Sequence, residues 1–124
     1  MKLTIVIPAL NEEEAIENTI IQCQAIVGEI IVKTKIAEVQ IIVVSDGSTD
    51  KTVEITKRIS GIELIIFEKN KGYGAAIKAG WELGQGDYLA FLDADGTCDP
   101  KYFIQMCQTI VMEKADVVIG SRMG

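Results

Sequence analysis

The chain has 124 residues, 48% hydrophobic and 24% charged, which suits one compact domain with a single core. A formal net charge of -6 and the absence of histidine argue against general nucleic-acid binding, which needs clustered Lys and Arg. They also remove Ser-His-Asp and Cys-His catalysis and the usual zinc ligand sets, leaving carboxylates, hydroxyls and lysines, for which an oxygen-ligated metal is the natural partner.

Cys23, Cys98 and Cys107 form no C-x-x-C pair and are odd in number, so neither a disulfide framework nor a zinc site is indicated and a reducing, cytoplasmic setting is expected. The opening Met-Lys-Leu-Thr-Ile-Val-Ile-Pro is too short for a signal-peptide core, and no apolar run reaches the length of a membrane span. Work at the cytoplasmic face of a membrane is compatible with both facts.

Leu3 to Ile7 reads as a first strand, β-branched and apolar, ended by Pro8. Asn11 is placed to cap a helix starting at Glu12, whose three consecutive glutamates favour the positive end of the helix dipole. Ile16, Ile20, Cys23, Ile26 and Val27 recur at helical spacing, and the pattern either continues past Gly28 towards Lys35 or breaks there. Val39 to Val44 is a second strand, followed by the turn-and-cap cluster Ser45-Asp46-Gly47-Ser48-Thr49-Asp50. Thr49 or Asp50 can cap the helix through Val53, Ile55 and Ile59, which leaves Asp46 without a local role.

Ile62 to Phe67 forms a third strand, and Asn70-Lys-Gly72-Tyr-Gly74 leads into a helix of small residues, Ala75, Ala76, Ala79 and Gly80. Tyr88 to Leu92 is a fourth, fully apolar strand that stops on Asp93 and Asp95. Pro100 opens a helix to about Glu113, and Asp116 to Ile119 makes a last strand before Gly120-Ser-Arg122. This alternation predicts an α/β domain over residues 1–124: an open, mostly parallel sheet with helices on both faces.

In such sheets ligands bind beyond the carboxyl ends of the strands, near a switch in strand order. Asn11 and Glu12 follow the first strand, Asp46 the second, and Asp93 and Asp95 the fourth, so all fall along one rim. Asp93-x-Asp95 presents two hard oxygen ligands suited to Mg or Mn. As plain turn chemistry, Asp-x-Asp-Gly would need no metal. Gly72-Tyr-Gly74-Ala-Ala-Ile77 only superficially resembles a dinucleotide fingerprint, because Ile77 stands where Gly or Ala is needed. Asp93-x-Asp95-Gly96-Thr97 also resembles the nucleophile motif of haloacid-dehalogenase-type phosphatases, but the residues after it are too few for the remaining catalytic set. Arg122 is placed either to clamp a diphosphate or simply to be solvated.

Together, Ile7-Pro8-Ala-Leu10-Asn11-Glu12, Val44-Ser-Asp46-Gly-Ser-Thr-Asp50, Asn70-Lys-Gly72, Phe91-Leu-Asp93-Ala-Asp95-Gly and Gly120-Ser-Arg122 strongly resemble the family 2 glycosyltransferases of GT-A fold. The subgroup they look most like is the dolichyl- or polyprenyl-phosphate mannosyl- and glucosyltransferases. The resemblance implies inverting transfer of a hexose from a nucleotide diphosphate sugar to a polyprenyl phosphate or other acceptor. By position, Pro8, Leu10, Glu12, Val44 and Asp46 would hold the base and ribose. Asp93 and Asp95 would present Mg or Mn to the diphosphate, Asp95 as the catalytic member, with Ala94 beside the nucleotide, Thr97 near the sugar and Arg122 on the phosphates.

Two departures stand out: Ser45-Asp46 occupies the place of two adjacent aspartates common in similar sequences, and those enzymes continue well beyond Gly-Ser-Arg. The chain therefore resembles a donor-binding half. A non-catalytic nucleotide-binding module that needs a second chain, or a homo-oligomer, to complete its sheet is the alternative reading.

Overall fold

The computed structural model describes residues 2–33 and 36–92. Within them the chain runs β1 (Lys2–Ala9), α1 (Ile16–Lys33), β2 (Glu38–Asp46), α2 (Thr52–Lys57), β3 (Glu63–Phe67), α3 (Tyr73–Leu83) and β4 (Tyr88–Phe91). The expected helix after Pro100, the strand Asp116 to Ile119, and Asp93, Ala94, Asp95, Thr97 and Arg122 lie outside the described residues. No described helix is long and apolar enough to cross a membrane.

The four strands form one sheet in the order β3-β2-β1-β4, every pair parallel. β1 is central and buried on both faces. Leu3, Ile5, Ile7 and Ala9 point to one side, where they meet Ile16, Ile20, Cys23, Ile26 and Ile30 of α1, with Ile55 of α2 packed alongside. Val6 points the other way and packs with Ile42, Val44 and Ala76, the last from α3. The period of two in the strands thus meets the helical period on each face, which is the α/β sandwich the alternation of elements predicts. Full burial of each such aliphatic side chain contributes about 1.5–3 kcal/mol.

Several boundaries differ from the sequence reading for physical reasons. β1 continues through Pro8, which pairs with Val44. Lys2 and Val6 turn their carbonyls to β4, accepting from Asp87 and Leu92, so by alternation the Pro8 nitrogen also faces that side, and the described part of β4 stops at Phe91. The missing N–H therefore removes no bond to β2. α1 begins at Ile16 rather than Glu12, after a turn in which Ala15 and Ile16 both donate to the Glu12 carbonyl. It then runs unbroken past Gly28 to Lys33. α2 ends at Lys57, and Ile59 is reached by a tighter bond from its N–H to the Thr56 carbonyl.

Burial raises the Cys23 thiol to about 12, so it stays protonated and acts as a small hydrophobe. Two helical glycines carry opposite constraints. A Cβ on Gly80 would lie 2.5 Å from Val6 Cγ1, whereas one on Gly28 meets nothing within 4 Å. Gly28→Ala is expected to stabilise the domain by about 0.5–1 kcal/mol through lost unfolded-state freedom, and Gly80→Ala to destabilise it by about 1–2 kcal/mol because overpacking outweighs the same gain. Urea denaturation of the two variants checks both signs.

Candidate functional site

The strand order places β2 and β3 to one side of β1 and β4 to the other, so the direction of winding switches between the ends of β1 and β4. At that point the N–H of Leu92 donates to the Val6 carbonyl at 2.9 Å, holding the end of the fourth strand against β1 immediately ahead of Asp93 in sequence. Ligands in open α/β sheets lie in the crevice at such a switch.

The loops around this crevice are tied to one another by side chains bonding to backbone. Asn11 takes a left-handed conformation (φ 52°), which Asn tolerates better than most residues. Its Oδ1 accepts the N–H of Thr49 at 2.8 Å, so Asn11 bridges to the next loop instead of capping its own helix. Its N–H donates to Ser48 Oγ at 3.1 Å, and the N–H of Glu12 donates to Thr52 Oγ1 at 2.9 Å. The pairing is reciprocal one residue on: Asp50 Oδ2 accepts the Glu13 N–H, and Glu13 Oε2 accepts the Lys51 N–H, each at 3.2 Å.

The N-cap of α2 is Lys51, without a side-chain cap bond, rather than Thr49 or Asp50; Asp50, one residue earlier, accepts from the N–H and the hydroxyl of Thr52. Thr49, the other expected cap, bonds instead to Asn11. Partial burial pushes the Asp50 carboxyl up, but hydrogen bonds from the Thr52 hydroxyl and from the backbone N–H groups of Thr52, Glu13 and Asp50 itself outweigh it and hold the group below the ordinary carboxylate range.

Asp46 has a partner that local sequence did not suggest. Only 4% exposed, its carboxylate accepts the N–H of Lys71 at 2.6 Å and of Gly72 at 3.0 Å, both in the loop entering α3. Gly47 makes the approach feasible: it has φ 79°, and a Cβ there would lie 2.5 Å from the Asn70 nitrogen. Gly72 precedes α3 at φ 103°. Two glycines needing positive φ, one on each side of the contact, were the available sequence signal for it.

The other candidate residues lie on the same rim with different exposure. Pro8 and Val44 are neighbours in the sheet with buried side chains, Glu12 is half-buried and Leu10 is exposed. Ser45 points to the opposite face from Asp46 and is buried, with no hydrogen-bond partner for its Oγ among the described residues. Lys71 Nζ lies 4.6 Å over the Phe67 ring, and Tyr73 stands edge-on to Phe91 with ring centroids 5.9 Å apart. Among the described residues no three His, Cys, Asp or Glu side chains cluster as metal ligands.

An all-parallel sheet with its loops tied around a switch point defines an α/β domain built to hold a ligand at the carboxyl end of its strands. More specifically, the chain belongs to glycosyl transferase family 2, whose model matches residues 4–124. It is 36% identical over 124 residues to the low-salt glycan biosynthesis hexosyltransferase Agl6 of Haloferax volcanii, covering 98% of this chain and 27% of that protein. Similarity to the dolichyl-phosphate beta-glucosyltransferase of Drosophila melanogaster is 32% over 105 residues, covering 77% of this chain and 31% of the relative. The fold matches the glucosyl-3-phosphoglycerate synthase of Mycobacterium tuberculosis, solved with Mn2+, UDP-glucose and phosphoglyceric acid. There the TM-score is 0.69 at 25% identity, over 89% of this chain and 39% of that one. The chain thus spans about a third of the length of these relatives.

Because the Asp50 carboxyl is held low, the stability it contributes is full above its unfolded value near pH 3.9 and is lost as pH falls through the folded value. Asp50→Asn is expected to flatten the acid limb of stability below about pH 4. Urea midpoints at pH 7, 4 and 3 for both chains read this directly.

Proposed function

We propose that the chain is the donor-binding part of an inverting glycosyltransferase that moves a hexose from a nucleotide diphosphate sugar, of GDP-mannose or UDP-glucose type, to a polyprenyl or dolichyl phosphate. The observation that carries the reading is the switch in strand order beside β1, with Leu92 bonded to Val6 there and Asp93 next in sequence. Family membership supports the reaction class. The relative named for dolichyl-phosphate glucosyl transfer supports the acceptor class, and the neighbour solved with UDP-glucose and Mn2+ supports the donor class.

In this reading Pro8 and Val44 form the floor beneath the base and ribose, with Leu10 and Glu12 at its edge and Asp46 at the end of the neighbouring strand. Ala94 lies beside the nucleotide, Thr97 near the sugar, and Arg122 reaches the phosphates with the bidentate geometry a guanidinium offers. Asp93 and Asp95 fit Mg or Mn by donor chemistry, two hard carboxylate oxygens one residue apart. Such an ion, when bound, neutralises charge developing on the departing diphosphate. The acceptor oxygen attacks the anomeric carbon from the face opposite the nucleotide, so configuration inverts as the bond to the diphosphate breaks. A polyprenyl phosphate acceptor sets this chemistry at the cytoplasmic face of a membrane.

Thermal unfolding with GDP-mannose, UDP-glucose and their diphosphates, each with Mn2+ and with chelator, tests the proposal. Ligand at a hundred times its dissociation constant is expected to add about 2.7 kcal/mol, moving the midpoint by roughly 3 to 6 °C. The shift should need metal and vanish in Asp95→Asn. A cooperatively folded sample that shifts with no nucleotide would overturn the assignment.

A further inference from the structure

We propose that the outward face of α1 pairs with the same face of a second copy of this chain, the two helices running antiparallel. α1 carries two apolar seams instead of one. Ile16, Ile20, Cys23, Ile26 and Ile30 pack on the sheet. At about 100° per residue, Ile21, Ala25, Gly28 and Val32 fall on the opposite side of the helix. All four are exposed, Ile21 by 49% and Val32 by 83%. A surface helix ordinarily turns polar residues to water there.

The order of sizes along this outer seam says what fits it. It reads large, small, small, large, and the midpoint between Ile21 and Val32 is also the midpoint between Ala25 and Gly28. A two-fold axis through that point lays each Ile21 against a Val32, while the small residues let the helices approach closely in the middle. A Cβ on Gly28 has nothing within 4 Å, so the middle of the seam is open. Charge selects the direction. One flank is Asn18, Gln22, Glu29 and Lys33, the last two ion-paired at 3.5 Å. Antiparallel pairing about the same axis brings Asn18 towards Lys33 and Gln22 towards Glu29, amides against charges. A parallel pair would oppose Glu29 to Glu29 and Lys33 to Lys33. The exposed carboxylates of Glu13, Glu14 and Glu17 argue against an anionic lipid surface as the occupant. A seam roughly 17 Å long lies at the small end of specific interfaces, so the pair is weak and forms at tens to hundreds of micromolar.

Sedimentation equilibrium of the 124-residue chain from roughly 10 to 1,000 µM tests the pairing. The weight-average mass is expected to rise from one copy towards two. Val32→Glu and Ile21→Glu, both at exposed positions, are each expected to raise the dissociation constant at least about tenfold with the urea midpoint unchanged. Ile21→Glu combined with Val32→Lys is expected to regain association, because an antiparallel pair sets carboxylate against ammonium at both ends where a parallel one opposes like charges. A folded chain that stays single over the whole range overturns the proposal and leaves the seam to a different partner. A mass that climbs past two copies overturns it as well, since a two-fold pair closes on itself. So does association untouched by Val32→Glu, or a folded double variant that fails to re-associate.

Discussion

Every other element takes its place from β1, which is hydrogen-bonded along both edges, buried on both faces over nearly its whole length, and flanked by β2 on one side and β4 on the other. Because Leu3, Ile5 and Ile7 must be covered on one side and Val6 on the other, α1 and α3 are forced to opposite faces of the sheet. Because β2 and β4 take its two edges, the chain has to reverse its direction of winding beside it. The crevice at the carboxyl end of β1 is thus a consequence of burying this strand twice over, and the residues that follow it are delivered there by topology.

Burial of the sheet leaves its rim with a separate difficulty. The loops leaving β1, β2 and β3 carry backbone N–H groups that no ladder satisfies, and each needs an acceptor. The chain supplies them with short polar side chains from neighbouring loops: Asn11 to Thr49, Ser48 to Asn11, Thr52 to Glu12, Asp50 to Glu13 and Asp46 to Lys71 and Gly72. The same bonds that satisfy the backbone also make adjacent loops move together. Such a rim is pre-organised, since less loop ordering remains to be done when a ligand binds.

The strands, their parallel pairing and the two-sided cover were legible because the apolar runs are long and their alternation with helical periods is regular. The ends of elements were not. Asn11 looks like a helix cap from its neighbours, since Asn before a run of Glu is good capping chemistry, yet its acceptor is taken by Thr49, 38 residues away. Pro8 looks like a strand terminator until the side of β1 that its nitrogen faces is known. Asp46 looked unexplained for the same reason: its donors are 25 and 26 residues further along the chain, and no local pattern carries that distance. The candidate rim was legible as a set of strand ends, whereas the division of labour within it depends on contacts between loops.

That division is sharpest between two adjacent residues. Ser45 and Asp46 end the same strand, and strand geometry sends them to opposite faces. Towards α3, Asp46 meets two backbone donors that only a group with two acceptor oxygens can serve together. Towards α1 and α2, Ser45 is 1% exposed, with no partner for its hydroxyl among the described residues. A carboxylate in that position would face burial without donors, a penalty far larger than the roughly 1–3 kcal/mol of an unsatisfied hydroxyl. A chain with aspartates at both positions would therefore need a partner for the first that the described residues do not provide. The hydroxyl here is the form in which the buried place beside Ala9 can be filled without one, while the acidic function is kept on the side where the loop requires it.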